Sequence, residues 1–188
     1  MAWDADTGDE ELMLSYREGD AGAFDALYAR HKGGVYRYLL RQCRDAATAE
    51  ELFQDVWMNL IRARAGYTVQ AKFTTYLYRL AHNRLIDHYR RNGHVALVSF
   101  DDEEREELAE LPDERERPAD ETLDARRQAG RLLELIAALP EAQREAFMMQ
   151  QEGGMSVEEI AQATGVNRET AKSRLRYAMA RLRQGMRE

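Results

Sequence analysis

Ser156-Val-Glu-Glu-Ile-Ala-Gln-Ala-Thr-Gly-Val-Asn-Arg-Glu-Thr-Ala-Lys-Ser-Arg-Leu175 contains two helix starts in close succession. Ser156 with Glu159 three positions later has the form of a capping box, in which a hydroxyl and a carboxylate satisfy N–H groups that a first helical turn leaves unpaired. Ile160 and Ala161 supply that helix with an inner face. Gly165 falls where a tight interhelical turn needs a residue tolerant of positive φ. Asn167 then caps a second helix whose apolar positions are Ala171, Leu175, Ala178 and Leu182. The spacing is that of a helix-turn-helix.

The second of these helices has two chemically distinct faces. Arg168, Glu169, Lys172, Ser173 and Arg176 lie opposite the apolar stripe, and from Thr164 to Arg187 seven bases, Arg174 among them, stand against the single acid Glu169. A balance of +6 on one short element suits phosphate contact, with side chains of the first turns reaching base edges in a major groove. The candidate duplex contacts are therefore Arg168, Glu169, Lys172, Ser173, Arg174 and Arg176. A solvated basic helix closing a bundle is the alternative, and the capping box, turn glycine and one-sided charge together argue against it.

Working outward, an earlier helix carries Leu132, Leu133, Leu135, Ile136 and Leu139 and is ended by Pro140. Another follows from Glu141 to about Glu152, closed by Gly153-Gly154. Between Glu10 and Arg91 the three- and four-residue apolar steps of helices recur: Leu12 and Leu14; then Phe24, Leu27, Tyr28, Val35, Leu39 and Leu40; then Leu52, Val56 and Leu60. Gly33-Gly34 is expected to interrupt the second of these, and Gly66 to end the third. The fourth, Phe73–Arg91, turns Leu77, Leu80, Ala81 and Leu85 inward and distributes Phe73, Tyr76, Arg79, Asn83, Arg84, Asp87, Arg90 and Arg91 around it. Aromatic faces that stack on bases, beside guanidinium groups that hold a backbone, suit unpaired nucleic acid.

Charge explains the stretch between these two halves. The net charge of −7 looks wrong for a nucleic-acid binder, but residues 101–121 hold twelve acids and three bases, so this segment carries −9 and the remainder of the chain +2. With Pro112, Pro118 and little to bury, residues 93–121 read as an acidic flexible linker. It would span roughly 30 Å as a random coil and about 90 Å when stretched. The expected architecture is all-α, two small helical domains at 10–92 and 122–188 on either side of that linker.

Other chemistries find little support. His82 and His88 are six residues apart, roughly 240° around a helix, and so do not share a metal-binding face. No cofactor or metal is expected. The lone Cys43 excludes an internal disulfide and reads as a small, partly buried thiol. No signal peptide and no apolar run of ~20 residues is visible, which sets the expectation of a cytoplasmic protein without membrane insertion.

Taken together, Ala49-Glu-Glu-Leu-Phe-Gln-Asp-Val-Trp57, Phe73-Thr-Thr-Tyr-Leu-Tyr-Arg-Leu-Ala-His-Asn-Arg-Leu-Ile-Asp87 and Leu139-Pro-Glu followed by the Ser156–Leu175 segment resemble the extracytoplasmic-function (ECF) group of bacterial sigma factors. The resemblance covers nearly the whole chain. It implies that the first domain binds core RNA polymerase and melts the −10 promoter element, and that the second reads the −35 element as duplex. It places Glu51, Gln54 and Asp55 against the clamp helices of the largest polymerase subunit, where periodicity alone would leave an ordinary solvated face. It further implies contact with the flap of the second subunit, a base pocket formed by the 66–72 loop with Asn83, and control by an anti-sigma factor. Two departures stand out: Glu169-Thr170-Ala171 replaces a common Gly-Thr-Val, and Tyr76 occupies a position where tryptophan is frequent. A self-sufficient helix-turn-helix regulator has no need of the aromatic-basic helix beside Glu51, Gln54 and Asp55, and a helical enzyme lacks a coherent set of catalytic groups.

Overall fold

A computed structural model describes residues 3–4, 6–93 and 123–187. The linker reading of 93–121 thus lies almost wholly outside the described residues. Within them the chain is helical: α1 (Asp9–Arg17), α2 (Ala21–Cys43), α3 (Ala46–Ala63), a 3-10 turn (Arg64–Gly66), α4 (Phe73–Arg91), α5 (Leu123–Ala138), α6 (Glu141–Gly153), α7 (Val157–Thr164) and α8 (Arg168–Arg187).

Local chemistry sets most of the boundaries. The Asp20 carboxylate accepts from the Gly22 and Ala23 amides at 2.8 and 3.3 Å and starts α2. Asp45 does the same for α3 through the Thr48 amide at 2.8 Å. Such caps contribute ~1 kcal/mol each. Ser156 and Glu159 form the reciprocal capping box, Gly165 sits at φ 71°, and Asn167 Oδ1 accepts from the Thr170 amide at 2.7 Å, as the local sequence implies.

The helix expected to break at Gly33-Gly34 does not. α2 runs unbroken through both glycines, and Gly34 has a tertiary reason. A Cβ there would lie 2.9 Å from the Tyr78 hydroxyl and 3.0 Å from the Glu152 carbonyl oxygen, so a side chain at this position would press on α4 and α6 where they approach α2.

α1–α4 bury Leu12, Leu27, Leu39, Leu52, Leu60, Leu77 and Leu85 completely. An aromatic group of Phe24, Tyr28, Phe53 and Trp57 flanks them, with Tyr28 and Trp57 edge-on at 4.9 Å. In the second half α8 is the spine, packed by α5, α6 and α7. The two halves also meet: α6 lies along α2, and α7 along α4, so one continuous apolar cluster extends from Leu12 to Leu182.

Candidate nucleic-acid interface

α8 presents its cationic face outward. Lys172 and Arg176 are exposed, while Ala171, Leu175, Ala178 and Leu182 are buried beneath them. Arg168 is exposed too, tied to Glu158 at 2.5 Å and to Glu169 at 3.1 Å. The Glu158 pair links the two helices of the motif, because Glu158 sits in the first turn of α7. Arg174 departs from the rest. It is turned inward, and burial lowers its pKa against an opposing pull from Glu145 in α6. It does not share the exposed face, because it stands three residues after Ala171 and four before Ala178, both fully buried, and so lies beside the apolar stripe.

On α4, Arg79, Asn83, Asp87, Arg90 and Arg91 are exposed, and Tyr76 is half-buried against Tyr67 at 5.2 Å. Two residues expected on this surface are not free. Phe73 is fully buried, packed beside His31 and Tyr76, because the start of α4 is drawn into the α1–α2 core. Arg84 is 12% exposed and donates from Nε to Asp55 Oδ2 at 2.6 Å. One of its remaining nitrogens, Nη1, is buried without a partner.

The same pair engages Asp55, whose side chain is 41% exposed. On α3, Glu51 and Gln54 are exposed, whereas Asp55 is committed to Arg84. Met58, 44% exposed and one turn beyond Gln54, adds an apolar side chain to the same stripe. Its signal was available: a large apolar residue at i+7 from Glu51, off the Leu52–Val56–Leu60 line.

Between the halves lies a polar cluster that no local motif announces. Glu145, 1% exposed, accepts from the Tyr38 hydroxyl at 2.6 Å and lies 2.7 Å from His82 Nδ1. Burial alone would raise the Glu145 carboxyl, but His82, Tyr38 and Arg174 outweigh it and hold it below its ordinary value. An ionised carboxylate only accepts, so His82 Nδ1 carries the proton. Tyr38 is pushed well above its ordinary value by burial and by Glu145, and so stays a donor. Arg144, also 1% exposed, donates to Gln42 Oε1 at 2.8 Å and to the Leu139 carbonyl at 2.9 Å. At the edges Arg37 grips Glu152 at 2.7 Å, Lys72 meets Glu159 at 2.8 Å, and Arg44 donates to the Ala137 carbonyl.

Cys43 is half-buried, and burial together with Asp45 pushes its thiol up to about 11. At neutral pH it is an unreactive thiol. Among the described residues no group of three or more His, Cys, Asp or Glu could hold a metal ion, and no helix is long and apolar enough to cross a membrane.

A paired-helix motif with a basic outer face, beside a second helix lined with Arg79, Asn83 and Arg90, defines a helical protein equipped for nucleic acid. Known proteins place it further. The family model for sigma-70 region 2 matches residues 27–95, and that for sigma-70 region 4 matches residues 129–182. The RNA polymerase sigma factor CarQ of Myxococcus xanthus is 30% identical over 172 residues, 92% of this chain and 94% of its own. The ECF RNA polymerase sigma factor RpoE of Cereibacter sphaeroides is 33% identical over 177 residues, 93% of each chain. In fold, the chain is similar to CnrH in its complex with the cytosolic domain of CnrY (TM-score 0.65, 20% identity, 94% of this chain and 95% of that one). It is also similar to the sigma factor RpoE solved with the anti-sigma factor NepR from Bartonella quintana (TM-score 0.63, 20% identity, 87% and 96%). The chain belongs to the ECF sigma factors of the sigma-70 family.

Proposed function

We propose that this chain is a dissociable specificity subunit that acts in the cytoplasm, brings core RNA polymerase to a set of promoters and opens them without catalytic chemistry of its own. Residues 10–92 would seat on the polymerase clamp helices through Glu51, Gln54 and Met58, and would hold the melted −10 strand through Tyr76, Arg79, Asn83, Asp87, Arg90 and Arg91. Residues 122–188 would read the −35 duplex through Arg168, Glu169, Lys172, Ser173 and Arg176, and meet the flap of the second subunit. Extruding a base costs a few kcal/mol of unstacking, which contacts to the 66–72 loop and Asn83 would offset. An anti-sigma factor, the partner named for RpoE of Bartonella quintana, would hold the chain in reserve. The observation that carries the reading is the exposed Lys172–Arg176 face of α8 in a correctly capped helix-turn-helix.

The test is transcription by core polymerase on a library of genomic fragments, with and without the protein. Starts that cluster behind a shared upstream motif only when the protein is added support the reading; identical products without it reject it. On a promoter so recovered, Arg176→Ala should weaken duplex −35 binding and lower its salt slope by about one, while binding of the melted −10 strand is spared. Equal loss on both DNA forms would refute the division of labour.

A further inference from the structure

The 66–72 loop, the proposed holder of an extruded base, is fastened at both ends by α1. At its start the Tyr67 carbonyl accepts from Arg17 Nη1 at 3.0 Å, across 50 residues of sequence. Where it runs into α4, Glu10 Oε1 receives the Phe73 amide at 2.7 Å. Ahead of it, the guanidinium of Arg64 in the 3-10 turn lies 5.2 Å from the centre of the Tyr16 ring. Tyr67 itself is 5% exposed, with its ring 5.2 Å from that of Tyr76 on α4 and its hydroxyl buried without a hydrogen-bond partner. The directed bond that Tyr67 receives from another helix is therefore the one from Arg17. Between the two fastened ends, Thr68, Val69 and Gln70 are exposed.

A loop held in this way meets a ligand with its backbone already ordered. Leaving the φ and ψ of one residue free until binding would cost a factor of roughly 5–30 in affinity. The guanidinium of Arg17 is also spent within the protein, since its Nε lies 2.9 Å from Glu18 Oε1. We propose that Arg17 is a positioning residue for base capture: its bond to the Tyr67 carbonyl holds the 66–72 loop in the shape that receives the extruded base, without touching DNA. The inference rests on the base-holding reading of that loop, which the parent chain tests by itself.

The experiment uses the full chain bound to core polymerase and the melted −10 strand of a promoter recovered with the parent. Replacing each nucleotide in turn by an abasic one finds the position at which loss of the base weakens binding most. The ratio of the two affinities there, intact over abasic, is the readout. Arg17→Met keeps a long apolar stem and removes the donor, and should lower that ratio roughly fivefold or more. Affinity for the abasic strand and for a −35 duplex should stay at the parent's values. Arg17→Lys, which restores a donor, should return the ratio toward the parent's. Arg17→Gln, whose amide ends short of the guanidinium position, should match Arg17→Met, so the readout survives a failure of either variant to fold. The salt slope on the intact strand should be the same in the parent and in Arg17→Met; a slope shallower by about 0.7 marks a lost phosphate contact and overturns positioning. A ratio unchanged in Arg17→Met, or equal weakening on intact and abasic strands, overturns it too. If no abasic position weakens the parent, the loop holds no base, and the base-holding reading falls together with the role of Arg17.

Discussion

α4 carries most of the expected −10 contacts, yet its own sequence does not cap it. Lys72 at its N-cap makes no side-chain bond to the first turn. The missing acceptor comes from α1, where Glu10 Oε1 receives the Phe73 amide at 2.7 Å across 63 residues of sequence. An anionic acceptor at a helix N-terminus acts twice, as a cap worth ~0.5–2 kcal/mol and as a charge against the helix dipole worth ~0.3–1 kcal/mol. Glu10→Ala removes both and should cost about 1–3 kcal/mol, a fall in Tm of roughly 2–12 °C at 2–4 °C per kcal/mol for a chain of this size. Glu10→Gln keeps an acceptor and loses only the charge, so it should cost about 0.3–1 kcal/mol. Calorimetry with Glu18→Ala as an exposed control gives the global numbers. Hydrogen exchange should locate the loss, with Phe73 and its following amides deprotected ahead of the rest of α4. If Glu10→Ala melts with Glu18→Ala, or if Gln and Ala behave alike with no local change at Phe73, the cap supplied by α1 is not what starts α4.

Asp55→Asn should destabilise the chain by about 1–3 kcal/mol in urea, a value discounted because the Asp55 side chain is 41% exposed, since Arg84 would remain largely buried with a weakened partner. Arg84→Met in the same background should recover most of that loss, and an Asp55→Asn chain as stable as its parent would refute the pairing. Acid should act through Glu145. Its pKa in the fold lies below the ordinary 4.5, so its contribution is complete above that value and is lost as pH falls through the folded one. Between about pH 6 and about pH 3 the urea midpoint should therefore fall further in the parent than in Glu145→Gln, and parallel curves would refute the assignment.

Features that depend on a few neighbouring residues were legible in the sequence. Ser156, Glu159, Gly165 and Asn167 act within one turn of themselves, so their spacing declares both helix starts and the turn between them. The apolar stripes of α2, α3 and α4 were legible for the same reason. What was not legible depended on distant partners. Gly34 reads locally as a weak point, and only the approach of Tyr78 and Glu152 shows why a glycine stands there. Phe73 and Arg84 looked available because a helical wheel marks a face without saying which neighbour covers it; His31 of α2 packs on one and Asp55 claims the other. His82 offered no metal partner nearby, and its true partner, Glu145, is 63 residues away in the other half.

The Asp55–Arg84 pair changes how the two expected surfaces of the first domain relate. Glu51, Gln54 and Met58 face outward from α3, and Arg79, Asn83 and Arg90 face outward from α4. Between them the helices share the Leu52, Val56, Leu77, Ala81 and Leu85 core and are pinned by an ion pair at 2.6 Å. A partner seated on the α3 stripe would therefore hold α4 through this joint without touching it. Substituting Asp55 to probe polymerase binding would confuse two effects, because it loosens the joint as well as altering the surface. Glu51→Arg and Gln54→Arg alter the α3 surface and leave the Asp55–Arg84 pair in place, so a loss of polymerase binding in them would report on the proposed seat and not on the joint.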